Sequence, residues 1–129
     1  MDFIGTWKLK EMLWLYEGKF RRINDTEIEA MEDNDANREL KRMLAAEFVI
    51  SETSLDVIYR PREGEEALAD EKGWRVTDRG LIIDSFPCRI EDGVLMVDYM
   101  KKGLDYYPSW VDESGVLSLS GGILRIKRG

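Results

Sequence analysis

The 129-residue chain has no histidine, a single cysteine (Cys88) and three prolines. Without imidazole there is no His-dependent catalytic triad, none of the usual His-containing zinc sites and no His-ligated haem. One cysteine excludes a disulfide within the chain, and Cys88, behind Pro87 in an apolar stretch, is expected to be a small buried hydrophobe. No apolar run approaches the ~18 residues that a membrane helix needs. Basic charge is also in deficit: 19 Lys and Arg against 26 Asp and Glu leave a net −7. Such a balance opposes nucleic acid and anionic lipid as partners. The segment Met1–Lys8 lacks the basic and apolar regions of a secretory leader, so a reducing, cytoplasmic location is expected. No cofactor is implied.

What remains is a chain of 43% hydrophobic residues, enough for one core and one domain spanning 1–129. Residues 3–16 read as an extended segment. Trp7, Leu9 and Leu13 share one parity while Met12, Trp14 and Tyr16 share the other, which predicts a strand covered on both faces for part of its length. Glu17-Gly18 is a turn signal, and 19–23 reads as a short strand beyond it. The composition then turns helical over 26–46. Thr26 with Glu29 fits a capping box. Asn34-Asp35 marks a break, giving helices at 26–32 and 36–46. In the second, Ala36, Leu40, Met43 and Leu44 make one narrow apolar stripe.

Beyond Glu47 the pattern is short β-rich runs punctuated by Gly-containing turns: 48–50, 55–59, 74–77, 81–83, 94–99, 104–111, 116–119 and 123–127. Residues 61–72 read as a solvated loop. The turns Asp78-Arg79-Gly80, Glu91-Asp92-Gly93 and Asp112-Glu113-Ser114-Gly115 are hairpin chemistry. An antiparallel meander of this length must close or stack to hide its edges. The expected fold is mainly β: an antiparallel up-and-down barrel with two short helices inserted after the first strand or hairpin.

The opening Gly5-Thr6-Trp7-Lys8-Leu9 resembles the Gly-x-Trp signature of the calycin superfamily, the lipocalins and fatty-acid-binding proteins. The layout of one opening strand, two helices and a meander is similar too. The spacing of Gly5, Trp7, Glu11 and Met12 most resembles uncharacterised bacterial lipocalin-like proteins. The resemblance implies a calycin-like barrel in which a basic residue of the last strand, Arg125 or Arg128, packs over Trp7, so that Gly5, Trp7 and Arg125 close the barrel. It also implies a small hydrophobic or amphipathic ligand inside. The Arg-x-Tyr carboxylate clamp of the fatty-acid-binding branch is absent, since Lys127 stands where the Tyr would be.

Candidate ligand-binding residues are Tyr59, Trp74, Tyr99, Tyr106 and Trp110, with Arg125 or a Tyr hydroxyl to fix orientation. The alternative is that these rings are ordinary core and rim, in a filled barrel that serves as a protein-interaction or structural module. A ten-stranded barrel leaves a cavity, whereas an eight-stranded one can be filled by its side chains. Either form would be a monomer or weak homodimer. Asp33, Asp35 and Asn37 imitate a calcium loop, but Arg38 and Leu44 occupy its Gly and Glu positions, so no metal is expected. No catalytic residue is assigned. Asp56, Asp84 and Asp98 are the only carboxylates within strand runs, and alternation turns each outward.

Overall fold

A computed structural model of the chain describes residues 2–129. It opens with a long strand β1 (Gly5–Tyr16) that turns at Glu17-Gly18 into β2 (Lys19–Asn24). Helix α1 (Asp25–Ala30), a 3-10 turn (Asp35–Asn37) and helix α2 (Arg38–Ala45) follow. Next come β3 (Glu47–Ile50), β4 (Ser54–Tyr59), a short helix α3 (Leu68–Lys72) and β5 (Arg75–Thr77). The second long strand is β6 (Gly80–Glu91), followed by β7 (Val94–Val97), β8 (Tyr107–Pro108), β9 (Trp110–Val111), β10 (Leu117–Leu119) and β11 (Leu124–Arg128).

All strand pairs are antiparallel, in the order β8-β7-β6-β4-β3-β1-β11-β10-β9. The two ends of that path, β8 and β9, are consecutive in the chain and separated only by Ser109. Its N–H and hydroxyl both donate to the Leu95 carbonyl, at 2.9 and 2.6 Å. The result is a nearly closed up-and-down barrel of eight strand positions, the last of them interrupted at Ser109. β2 and β5 lie beside the ring, paired to β1 and β6. The expected continuous strand 104–111 is therefore broken. Pro108 has no N–H to extend the ladder, and the backbone of Ser109 turns to β7 instead.

The two apolar parities of β1 have a different cause from the one its sequence implies. Its pairing with β11 shifts register between Leu9 and Glu11, so a bulge at Lys10 reverses which parity faces inward. Trp7 and Leu9 point into the barrel before it and Met12 after it, while Leu15 and Tyr16 are exposed. The strand is one-sided throughout, with the side switched midway.

One end of the barrel is solid. Trp7 is fully buried with Leu9, Phe48, Leu95, Leu117 and Ile126, and its indole N–H donates to the Phe3 carbonyl at 2.9 Å. The guanidinium of Arg128 lies 4.3 Å above the Trp7 ring and donates to the carbonyls of Ile4 and Asp2. The residue over Trp7 is thus Arg128 and not Arg125. Arg125 instead bridges Glu11 and Asp112, at 2.7 and 2.5 Å, because it is three residues from Arg128 and so on the other face of β11, whereas Arg128 shares the face of buried Ile126 and stands opposite Trp7. Gly5 sits at φ +132°, and a Cβ there would lie 2.8 Å from Arg128 Nη1. Only glycine leaves the guanidinium its path.

Two local expectations are also corrected. The capping box of α1 is formed by Asn24 and Glu27 rather than Thr26 and Glu29. Asn24 Oδ1 accepts from Glu27 N at 2.9 Å while Glu27 Oε1 accepts from Asn24 N at 3.3 Å. The last residue of β2 is thus also the helix cap, and the helix starts directly from the strand. Within the expected loop 61–72, α3 forms and is stopped by Gly73 at φ 69°, where a left-handed residue closes the helix end. The break at Asn34 occurs as expected, with its side chain accepting from Asn37 N at 3.0 Å.

Truncating Trp7 to Ala is expected to cost ~3–5 kcal/mol in denaturant unfolding, as loss of a fully buried large side chain. A near-neutral result would remove Trp7 from its role as the floor of the barrel. Acid should also weaken the fold. The hydrogen bond from Lys127 holds the Asp25 carboxyl below its usual range, against the opposing effect of burial. Hydrogen bonds from Ser114 and the Val116 N–H do the same for Asp112. Folded values below the unfolded ones give stability that is fully present above about pH 4 and is lost as pH falls through the folded values. Asp25→Asn should accordingly flatten the fall in thermal midpoint between pH 5 and pH 2.

Candidate functional site

The end of the barrel opposite Trp7 is hollow. A cavity of about 410 Å³ lies between the strand ends and α2. The bulge in β1 brings Met12 and Trp14 into its wall. A second register shift, between β4 and β6 at Val57 and Ile58, places the neighbouring residues Ile83 and Asp84 on it together. Phe48, Leu55 and Val57 form the β3–β4 side, Leu119 and Leu124 the side near the last strand, and Met43 of α2 covers the mouth. The surface is mostly apolar and of the size that holds small molecules.

Of the residues expected at a ligand site, Trp74 and Tyr99 line this cavity. Trp74 directly precedes β5, and its ring takes part in the wall rather than in strand pairing. Tyr99 packs edge-on against Phe86, with ring centres 5.7 Å apart. Its hydroxyl oxygen accepts from the Ser120 N–H at 2.7 Å. Burial raises its pKa above the usual phenol value, against the opposing effect of that bond. The other four stand elsewhere. Tyr59 is buried, but its hydroxyl donates to Glu65 at 2.6 Å. Tyr106 lies under the Arg89 guanidinium at 4.1 Å. Trp110 is half exposed, with its ring edge near Gly122. Arg125 is taken up by its two carboxylates.

The strand carboxylates do not all turn outward. Asp98 is fully buried, because the turn after β7 folds over it; it accepts from the backbone N–H groups of Lys101 and Gly103, at 2.9 and 2.7 Å. Asp84 borders the cavity and pairs with Lys101 at 2.6 Å. Asp56 accepts from the Ser85 hydroxyl at 2.5 Å. Asp33 pairs with Arg62, and Asp35 with Arg38. Among the described residues no group of three or more acids or thiols is arranged to hold a metal ion. No helix among them is long and apolar enough to cross a membrane.

The residue that sequence reasoning missed is Arg42. It lies roughly 140° around α2 from the apolar stripe, where a helix in isolation would be solvated, yet only 9% of it is exposed. The cover comes from Tyr59 and Trp74, whose ring centres lie 5.4 and 5.2 Å from the guanidinium carbon. Among the described residues its one ion-pair contact is Nη2 to Glu65 Oε2, at 4.0 Å, and its buried Nε has no hydrogen-bond partner there. Glu65 is committed elsewhere. Burial alone would raise its pKa, but bonds from the Tyr59 hydroxyl and the Arg62 N–H, with the charges of Arg62 and Arg42, bring it below the usual range. Arg42 borders both the apolar cavity and a neighbouring polar groove of about 570 Å³, which also share Trp14 and Glu39.

No family model matches this chain, and no curated protein or solved structure matches it either.

Cys88 is buried as expected. Burial, reinforced by the charge of Asp56, pushes its thiol up to about 11. At pH 8 only about one molecule in a thousand then carries the thiolate that reacts. Labelling by a disulfide reagent should track unfolding, rising steeply with denaturant. Rapid labelling of the native protein would show the strand around Cys88 to be open.

Proposed function

We propose that this protein is a non-catalytic binder of a small hydrophobic or amphipathic molecule, held inside the barrel in the manner that the calycin resemblance implies. The observation that carries the reading is the division of the barrel into a solid half under Trp7 and an empty apolar chamber of about 410 Å³ beneath α2. A concave, mostly apolar pocket of this size, open to the outside, is what a small molecule needs in order to enter and be held. Its presence weighs against the competing reading of a barrel used only as an interaction module. The non-catalytic part of the reading is supported by the strand carboxylates: Asp56, Asp84 and Asp98 are each engaged by a hydroxyl, an ammonium group or backbone N–H groups.

The test is native mass spectrometry of freshly purified protein beside an organic extract of the same sample. A stoichiometric adduct that disappears on denaturation is expected, and its mass names the ligand class. The stripped protein should take up the neutral fluorophore N-phenyl-1-naphthylamine at one per chain. Val57→Phe, which projects into the chamber, should weaken that uptake roughly tenfold, or ~1.4 kcal/mol. A bare protein that takes up no neutral probe overturns the proposal.

A further inference from the structure

We infer that the occupant of the barrel is an organic anion, and that Arg42 holds its charged group at the mouth while the apolar body fills the chamber. This rests on the binding reading above and adds the ligand's charge and orientation to it.

Arg42 is a buried cation with an unmet donor. A guanidinium presents five N–H groups in a planar fork. Here Nε is buried and has no partner, and among the described residues the one carboxylate contact is at the 4.0 Å limit. The rings of Tyr59 and Trp74 attract the charge but take up no in-plane N–H. Leaving a buried donor unmade is costly, more so where it is charged, so the arrangement calls for an acceptor that the described residues do not supply. Glu65 does not fill that need: the Tyr59 hydroxyl and the Arg62 N–H hold it through Oε1, at 2.6 and 2.7 Å, and its Oε2 stands 4.0 Å from Nη2, beyond hydrogen-bond reach.

The place of Arg42 defines the pose. It stands where the apolar chamber meets the polar groove, so a ligand with its body among Met12, Val57 and Phe86 would bring a head group to the guanidinium. The other charges on the chamber do not compete for that head: Asp84 is neutralised by Lys101, and Glu39 is exposed at the outer edge. A carboxylate or sulfonate is the acceptor that a guanidinium fork fits best.

Two probes with one aromatic body separate the claims: neutral N-phenyl-1-naphthylamine and its 8-sulfonate, 1-anilinonaphthalene-8-sulfonate. Both are titrated by fluorescence in ~0.15 M salt, which screens the acidic surface beyond about 8 Å. The wild type is expected to bind the sulfonate at one per chain on the order of tenfold more tightly than the neutral probe, as one charge-assisted contact allows. Arg42→Met should abolish the preference, bringing the ratio of the two affinities to about one whatever the change in neutral-probe binding, which a purely structural role for Arg42 would not do. Should that variant fail to fold by circular dichroism, Arg42→Gln, which keeps a polar donor without the charge, is held to the same readings. The wild-type ratio decides if neither folds. Saturable neutral-probe binding with no preference for the sulfonate, or a preference that survives loss of the charge, overturns the assignment to Arg42 alone. Failure of the wild type to bind either probe overturns the binding reading and this inference with it.

Discussion

The pairing of the first strand with the last is the contact on which the rest of the barrel depends. Trp7 stands opposite Arg128, Leu9 opposite Ile126 and Met12 opposite Leu124. Every other step around the ring joins strands that are neighbours in the sequence or nearly so, and only this one joins the two ends of the chain. Its loop-closure cost is the largest in the fold, although that cost grows only slowly with length. Side chains reinforce the join well beyond the backbone ladder. Arg128 crosses Trp7 through the space left at Gly5, Arg125 reaches Glu11, and Lys127 reaches Asp25 at the start of α1. The helices are therefore attached to the closing strand as well as to the mouth of the barrel. A fold closed by its most distant contact is expected to be slow to form relative to helical domains of its size.

The bulge at Lys10 then decides what kind of barrel results. Before it, β1 delivers Trp7 and Leu9 to a packed floor. After it, the opposite parity delivers Met12 and Trp14 to the wall of a chamber. An unbroken alternation would have sent Leu13 and Leu15 inward and left Trp14 in water. The matching irregularity between β4 and β6 acts on the far wall. Bulges commonly re-aim side chains beside functional sites, and here two of them mark the border between the solid and the hollow half. Eight strand positions would ordinarily allow the interior to be filled. Here a pocket remains at the α2 end, with Met43 among the residues that line it.

Much of this was legible in the sequence, for identifiable reasons. The turns carry Gly at the positions that demand positive φ, so Gly18, Gly93 and Gly115 located hairpins correctly. The change in composition at Asp25 located the helical insertion. What local pattern could not show was anything set by a partner distant in sequence. The bulge at Lys10 looked like a strand buried on both faces, because parity alone cannot tell the two apart. The choice between Arg125 and Arg128 depended on the register of the last strand against the first, which sets Arg128 opposite Trp7. Asp98 looked outward-facing until the turn at 101–103 folded over it. At the site, Trp74 and Tyr99 were identifiable as aromatic residues within the meander, but so were Tyr106 and Trp110, which stand elsewhere. Composition offers no signal that separates them.

Arg42 is the sharpest case, and it bears on why the fold is built as it is. A helix read alone places it with Arg38 and Lys41, as a basic residue complementing the helix dipole. Its burial comes entirely from a loop and two rings more than fifteen residues downstream. Stability does not account for it: taking a charge out of water is expensive, and a buried pair is often no better than an apolar residue of the same size. The partial pairing with Glu65 is poorer still, since Oε1 is held by Tyr59 and Arg62 and Oε2 stops 4.0 Å short of the guanidinium. The chain carries an excess of acids, and several of its other bases, among them Arg62, Arg125 and Lys127, have a carboxylate close at hand. Against that background, Arg42 stands out among the described residues as a buried cation enclosed by aromatic rings and short of acceptors, which is the ground for the proposed anion site. An acidic surface keeps such a site selective, because the long-range field repels anions in general and only one whose body also fits the chamber recovers the difference.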